Sequence, residues 1–173
     1  LGESIRAAEL AIGDRACQLV GVDNSPAMIE KVRAEMPPRS KIMWHLSDIT
    51  QMEFKTASVV IMNFTLQFIP INERLKLLKK IRSSMVPGGL LILSEKLTMP
   101  DAEMNELMVN LHHDFKRSQG YSGLEIAQKR DAIDNVLIPE TAEVHRTRLT
   151  EAGFSRSSVW FQCLNFASFI AIA

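Results

Sequence analysis

Apolar residues recur along this chain in two textures, short continuous runs and helix-spaced stripes. Ile5, Ala8, Leu10, Ala11 and Ile12 give Ser4 to Ile12 the spacing of a helix, and Gly13 supplies a stop. Gln18 to Val22 is a short apolar run and reads as a strand. Behind it, Ser25 is an N-cap and Pro26 a first helical residue. Met28, Ile29 and Val32 form that helix's buried face, and Pro37-Pro38 ends it. Lys41 to Leu46 is a second strand. Ala57 to Met62 is a third, apolar almost throughout, as expected of a strand buried on both faces. Ile71, Leu75, Leu78, Ile81 and Met85 recur at helical spacing, Pro87-Gly88-Gly89 reads as a turn, and Leu90 to Leu93 as a fourth strand.

The second half changes texture. Ala102 to Arg117 carries Met104, Leu107, Met108, Leu111 and Phe115 on one apolar face, and Gly120-Tyr121-Ser122-Gly123 breaks it. Leu124 to Val136 and Glu140 to Ala152 read as two more helices, followed by a closing pair of strands, Ser157 to Cys163 and Phe166 to Ile172. This order predicts an α/β fold: a Rossmann-like, doubly wound, mainly parallel sheet with helices on both faces and a helical insertion at 101–152 before the last two strands. One domain over 1–173 is expected. The chain opens on Leu1, and helical text follows at once. A doubly wound sheet places a strand and a glycine-rich turn ahead of that helix. The domain is therefore expected to be N-terminally incomplete, without that strand and with only Leu1-Gly2 left of the turn.

Composition adds mainly exclusions. A length of 173 residues suits one domain, and 46% hydrophobic with 23% charged residues is ordinary for a globular protein. Twenty basic and twenty acidic residues leave no net charge to draw the chain onto nucleic acid, so no direct nucleic-acid contact is expected. Cys17 and Cys163 lack metal spacing, which suggests a reduced, cytoplasmic protein. No apolar run is long enough to span a bilayer, so no membrane association is expected.

Ligands of open α/β sheets bind beyond the carboxyl ends of the strands. Three such ends are polar here: Asp23-Asn24, Asp48-Ile49 and Asn63. An acid closing an early strand suits the hydroxyls of a ribose. Each position also has a local reading: Asp23 as a helix cap, Asp48 with Thr50 as an Asx turn, Asn63 as a partner for nearby backbone. Together the three fit an adenosine-type ligand. His112-His113 are adjacent, whereas metal pairs on a helix stand four apart, so no metal is expected. His45 and His145 carry no specific signal, and Cys163 reads as core. Lys129-Arg130-Asp131 reads as a solvated helix face. Arg130 gains a purpose only if the ligand bears an extra carboxylate.

Asp23-Asn24-Ser25-Pro26-Ala27-Met28-Ile29-Glu30 resembles the second-strand region of S-adenosylmethionine-dependent methyltransferases. More narrowly, the chain resembles the carboxy-S-adenosyl-L-methionine synthases, through Asn63-Phe64-Thr65-Leu66-Gln67-Phe68, Pro87-Gly88-Gly89 with Leu93-Ser94-Glu95-Lys96, the more specific insertion segments His112-His113-Asp114-Phe115-Lys116-Arg117, Gly120-Tyr121-Ser122 and Gln128-Lys129-Arg130, and Trp160-Phe161-Gln162-Cys163. That likeness runs the length of the chain. It implies conversion of S-adenosylmethionine and prephenate to carboxy-S-adenosylmethionine and phenylpyruvate, the product serving a partner enzyme that modifies a wobble uridine in tRNA. It further implies a homodimer. Asp23 and Asn24 would serve the ribose, Asp48 and Ile49 the adenine, and Asn63 the aminoacyl end or reacting group. Arg130 would pair with the new carboxylate, in the neighbouring subunit if the pocket is completed across the dimer. No catalytic residue is assigned. Two other readings stay open: an ordinary methyltransferase, and a non-catalytic adenosyl-binding fragment.

Overall fold

Leu19–Asp23 (β1) and Ile42–Leu46 (β2) pair in parallel from Leu19–Ile42 to Asp23–Leu46. They belong to the first of two units in this computed structural model, Leu1–Glu53 and Phe54–Ala173, each described by itself. The structure describes residues 2–125 and 136–173. In the first unit, Glu3–Ile12 (α1) precedes β1, and Pro26–Ala34 (α2) links β1 to β2. The start of α2 follows the expected chemistry: the Ser25 hydroxyl accepts the Met28 N–H, and Pro26 occupies the first turn, where a missing N–H costs nothing. Ile29 and Val32 are buried with Ile42, but Met28 is half-exposed. No residue of α1 is buried, contrary to its apolar text, and Leu10 is 84% exposed. Leu10 lies off the Ile5–Ala8–Ile12 stripe, and α1 is tied down instead by Glu9, which accepts from the Ser40 hydroxyl and the Lys41 N–H.

The second unit holds a four-stranded sheet in the order β3-β4-β6-β5, built from Ala57–Asn63 (β3), Met85–Lys96 (β4), Arg156–Cys163 (β5) and Phe166–Ile172 (β6). β3 and β4 are parallel; β6 runs antiparallel to both β4 and β5. Helices Ile71–Ser84 (α3), Ala102–Ser118 (α4) and Ala142–Glu151 (α5) accompany it. The core draws Leu77, Leu78 and Ile81 from α3, Leu91 and Leu93 from the central strand β4, Leu149 from α5 and Phe169 from β6.

Several expectations are corrected. Pro87-Gly88-Gly89 does not separate two elements but lies inside β4, which starts at Met85. Pairing with β3 jumps from Ala57–Met85 to Val59–Leu90, so these residues form a bulge. Gly88 takes φ +77° there, and its N–H donates to the Ala173 carbonyl. β3 is not buried on both faces: it is the outer strand of its sheet, and Val59 and Ile61 are 51% and 39% exposed. Cys163 is exposed rather than core, at the end of the opposite outer strand. The apolar face of α4 is also open among the described residues, with Met104, Leu107, Leu111 and Phe115 all exposed. α5 starts at Ala142 rather than Glu140, because the Glu140 carbonyl accepts the Thr98 N–H in a bridge beyond β4 and Thr141 caps the helix. The helix expected over Leu124 to Val136 falls mostly on 126–135, outside the described residues.

Candidate functional site

Asp23 closes β1 at the carboxyl end of a parallel pair, half-buried, where an α/β sheet presents groups to a ligand. Its Oδ1 accepts the Ser25 N–H at 2.8 Å, which fixes the side chain at the mouth of α2. A cleft of about 50 Å³ adjoins it, lined by Gly2, Asp23, Met28, Ile29, Val32 and Trp44. Small-molecule pockets run from roughly 300 Å³ upward. Within its unit, then, Asp23 stands on an apolar wall rather than in a closed pocket. Asn24 follows it and is exposed.

Trp44 was not singled out by its sequence context. It stands opposite Gly21 in the β1–β2 register, and its indole covers that glycine. The large residue facing a glycine is the signal that could have found it.

Asp48 lies just past β2 and is exposed. Its Oδ1 accepts both the N–H and the hydroxyl of Thr50 at 2.8 Å, forming the Asx turn. These two bonds, the backbone one first, hold its carboxyl below the ordinary value of 3.8. Ile49 follows and is half-buried.

In the second unit, Asn63 closes β3 opposite Ser94 and is exposed. The chain behind it is locked to three consecutive residues of β4. Phe64 N–H donates to the Ser94 carbonyl at 2.7 Å. Leu66 and Gln67 N–H donate to Oε1 and Oε2 of Glu95 at 2.9 and 3.0 Å. Lys96 N–H donates to the Gln67 side-chain oxygen at 2.9 Å. Two motifs that read as separate in the sequence thus form one interlocked device.

Glu95 is fully buried, and desolvation pushes its carboxyl up to about 7 against the opposing pull of backbone N–H groups at 65–67 and the charge of Arg74. Its place was legible: Leu91, Leu93 and Glu95 alternate on the buried side of β4, so an acid stands in a core position. Beside this loop, the Phe64 ring meets Phe166 edge-on at 5.8 Å, and Phe166 meets His112 at 4.8 Å. Desolvation, then Lys116, Lys96 and His113, push His112 down to about 4.

A second polar cluster holds α5. Glu140 accepts two hydrogen bonds from Arg148, at 2.7 and 2.6 Å, and another from the fully buried Arg74. Nearby His145 is buried with neither ring nitrogen hydrogen-bonded, and burial pushes it down to about 4. Among the described residues no group of three or more His, Cys, Asp or Glu is placed to hold a metal ion. Arg130 lies outside the described residues. Asp23, Asn24, Asp48 and Ile49 belong to the first unit and Asn63 to the second.

Comparison with known proteins adds what geometry alone does not. Residues 2–89 match the model of a methyltransferase domain. The chain is 50% identical to a carboxy-S-adenosyl-L-methionine synthase of Geobacter sp. (strain M21), over 99% of this chain and 73% of that protein. It is likewise 50% identical to the one of Aliivibrio fischeri (strain ATCC 700601 / ES114), over 99% of this chain and 74% of that protein. Among solved structures it resembles human N-acetylserotonin methyltransferase in complex with SAM, with a TM-score of 0.59 at 16% identity, over 90% of this chain and 40% of that one. A possible exported protein from Bordetella parapertussis gives 0.63 at 20% identity, over 97% and 58%. At such identities the structural likeness speaks for the fold alone, a Rossmann-like α/β fold of the methyltransferase type.

Proposed function

The chain belongs to the carboxy-S-adenosyl-L-methionine synthase family of transferases, and on that premise we propose that it moves a carboxyl group from prephenate onto the sulfonium methyl of S-adenosylmethionine. The products are carboxy-S-adenosylmethionine and phenylpyruvate. The atoms balance with one water: the ring hydroxyl lost by prephenate leaves with the proton lost by the methyl. The observation that supports this over plain methyl transfer is the extent of the likeness. Identity of 50% covers 99% of the chain, well beyond the stretch 2–89 matched by the general methyltransferase model.

S-adenosylmethionine supplies a positive sulfur that acidifies the adjacent methyl, so the protein's task is to bind, orient and keep water away. The half-buried Asp23 carboxylate, beside the apolar wall of Ile29, Val32 and Trp44, suits a ribose with a hydrophobic neighbour. Asn24 stands beside it. Asp48 and Ile49 serve the adenine, and Asn63 the aminoacyl end or the reacting group. Arg130 takes the new carboxylate, contributed across a homodimer. No helix among the described residues is long and apolar enough to cross a membrane. We place the enzyme in the cytoplasm, with its product serving wobble-uridine modification of tRNA by a partner enzyme and with no nucleic-acid contact of its own.

The test is the mass of the adenosyl product made from S-adenosylmethionine and prephenate. A product heavier by the elements of carbon dioxide, formed together with phenylpyruvate, is expected. Recovery of unchanged S-adenosylmethionine or of its demethylated form alone would overturn the reading.

A further inference from the structure

We propose that Glu95 is a positioning residue of the adenosyl-ligand site, setting the course of the chain that leaves β3 at Asn63. The inference rests on the reading that Asn63 meets that ligand. Its structural basis is independent of it.

Three features of the loop call for an external brace. Phe64, the residue directly after Asn63, takes φ +55°, a left-handed conformation that a bulky residue adopts only when its surroundings impose it. The turn that follows, Leu66–Phe68, is a single 3-10 turn whose Thr65 cap position makes no side-chain capping bond. As at the start of any helix, its leading N–H groups point away from the helix and have no partner within it. Glu95 supplies them from the neighbouring strand. Its two oxygens take the Leu66 and Gln67 N–H groups, and the Thr65 N–H also bears on it. A carboxylate accepting backbone N–H groups is the strong, charge-assisted form of a cap.

The brace is itself held. Gln67, fully engaged by Glu95 through its N–H, returns its side-chain oxygen to the Lys96 N–H, and its carbonyl accepts from Arg74 at 3.1 Å. Arg74, on α3, is the charged group whose field reaches Glu95. Ser94 thus holds Phe64, Glu95 holds Leu66 and Gln67, and Lys96 holds Gln67 a second time. A carboxylate is a costly choice for a wholly buried position, and an apolar residue in the same register would fill the core but leave these N–H groups unpaired. The cost is understandable if the direction in which Asn63 and Phe64 leave β3 matters to the ligand. Because the carboxyl titrates close to neutrality, the brace is also strongest above that point and weaker below it.

The experiment compares wild type with Glu95→Gln, an isostere that offers a single acceptor oxygen. The first readout needs no ligand: amide exchange over 64–68, normalised to core amides of Leu91 and Phe169. Glu95→Gln should exchange several-fold faster at pH 8, and wild type should lose relative protection when taken from pH 8 to pH 6. The second readout is affinity for S-adenosylhomocysteine. Loss of one charge-assisted acceptor should weaken binding on the order of tenfold at pH 8 and flatten its pH dependence. If Glu95→Gln does not fold, the wild-type exchange profile still decides, since unchanged relative protection between pH 8 and pH 6 would overturn the brace. If exchange responds but affinity and its pH profile match wild type, the positioning role is wrong. If wild type binds no adenosyl ligand at any pH, the functional reading itself has failed, and the intact exchange result tells the two failures apart.

Discussion

Gly21 of β1 and Trp44 of β2 face one another in the parallel register, and a Cβ built on Gly21 would lie 2.3 Å from the indole ring. The tryptophan therefore fills the space a side chain at position 21 would need, two residues before Asp23 on the same strand. The identity of residue 21 is set by its neighbour rather than by backbone conformation.

Gly21→Ala should accordingly destabilise the protein by about 1–3 kcal/mol through overpacking. Denaturant unfolding followed by tryptophan fluorescence would measure it. Trp44→Leu in the same chain should recover part of the loss. Equal destabilisation in the single and double variants would show that the two residues do not constrain each other.

Glu140 stands between two arginines, one of them fully buried. Desolvation acts to raise its carboxyl, but the hydrogen bonds and charges of Arg148 and Arg74 outweigh it, and the net shift is downward. A depressed carboxyl contributes stability above its ordinary value of 4.5 and loses that contribution as pH falls through the lowered value. Glu140→Gln leaves two guanidinium groups without their counter-charge and should cost about 3–5 kcal/mol at pH 7. The deficit should shrink in acid. A deficit that is the same at pH 7 and at pH 3 would rule this account out.

Glu95 and His145 titrate with opposite consequences. Desolvation of the ionised Glu95 carboxyl outweighs the N–H bonds it accepts and raises it from 4.5 to about 7. Although its local hold on 66–67 is strongest when ionised, its contribution to global stability is therefore present below pH 4.5 and lost as pH rises through about 7. His145 is lowered from 6.5 to about 4, so its contribution is present above pH 6.5 and lost as pH falls through about 4. Each effect amounts to roughly 3 kcal/mol, and across pH 4.5–6.5 they oppose each other. Wild-type stability should therefore vary little with pH in that window, apart from a smaller term of the His145 sign from half-buried His112. Glu95→Gln should reveal a stability that falls as pH falls. His145→Leu, which also removes two unpartnered ring nitrogens, should reveal one that rises. Melting temperatures across the window would test this, and parallel curves for the three proteins would refute it.

The local signals were legible where one element sufficed to determine them. Ser25-Pro26 opened α2, and Asp23 and Asn63 closed strands, because caps and strand ends are written within a few residues. Asp48 with Thr50 made the expected Asx turn for the same reason. What stayed hidden depended on pairing between distant segments. Pro87-Gly88-Gly89 looks like a turn until the β3 partner shows it to be a bulge. Cys163 and Val59 look like core until the strand order puts both strands on the outside. Glu95 is one acid among many until Leu66 and Gln67, almost thirty residues earlier in sequence, are found donating to it.

Asp23 should matter more to the adenosyl ligand than Asp48, whose exposed carboxyl already gives one oxygen to Thr50. The Oδ1 of Asp48 is committed to Thr50 through two bonds, and Asp48→Asn can keep that turn. Asp23 accepts one N–H, from Ser25, and has acceptor capacity for sugar hydroxyls. Asp23→Ala should weaken S-adenosylhomocysteine binding about ten- to a hundredfold, the scale of one hydrogen bond to a charged group. Asp48→Asn should change it much less. Calorimetric titration of both variants is the check, and a larger loss in Asp48→Asn would reverse the ranking of the two acids.

Arg130 offers the sharpest division between carboxyl transfer and methyl transfer. Its assignment comes from the Gln128-Lys129-Arg130 segment and from the chemistry of a ligand with one more carboxylate than S-adenosylmethionine. A guanidinium can meet that carboxylate through two parallel N–H donors. Arg130→Ala should therefore cost roughly 1.5–3 kcal/mol per lost bond toward carboxy-S-adenosylmethionine and far less toward S-adenosylmethionine. Arg130→Lys, which keeps the charge but not the fork, should fall between. Competition binding with both ligands on the three proteins measures the difference directly. Equal losses for the two ligands would remove the carboxylate from the role of Arg130, and with it the main residue-level reason to separate this chain from a methyl-transferring relative.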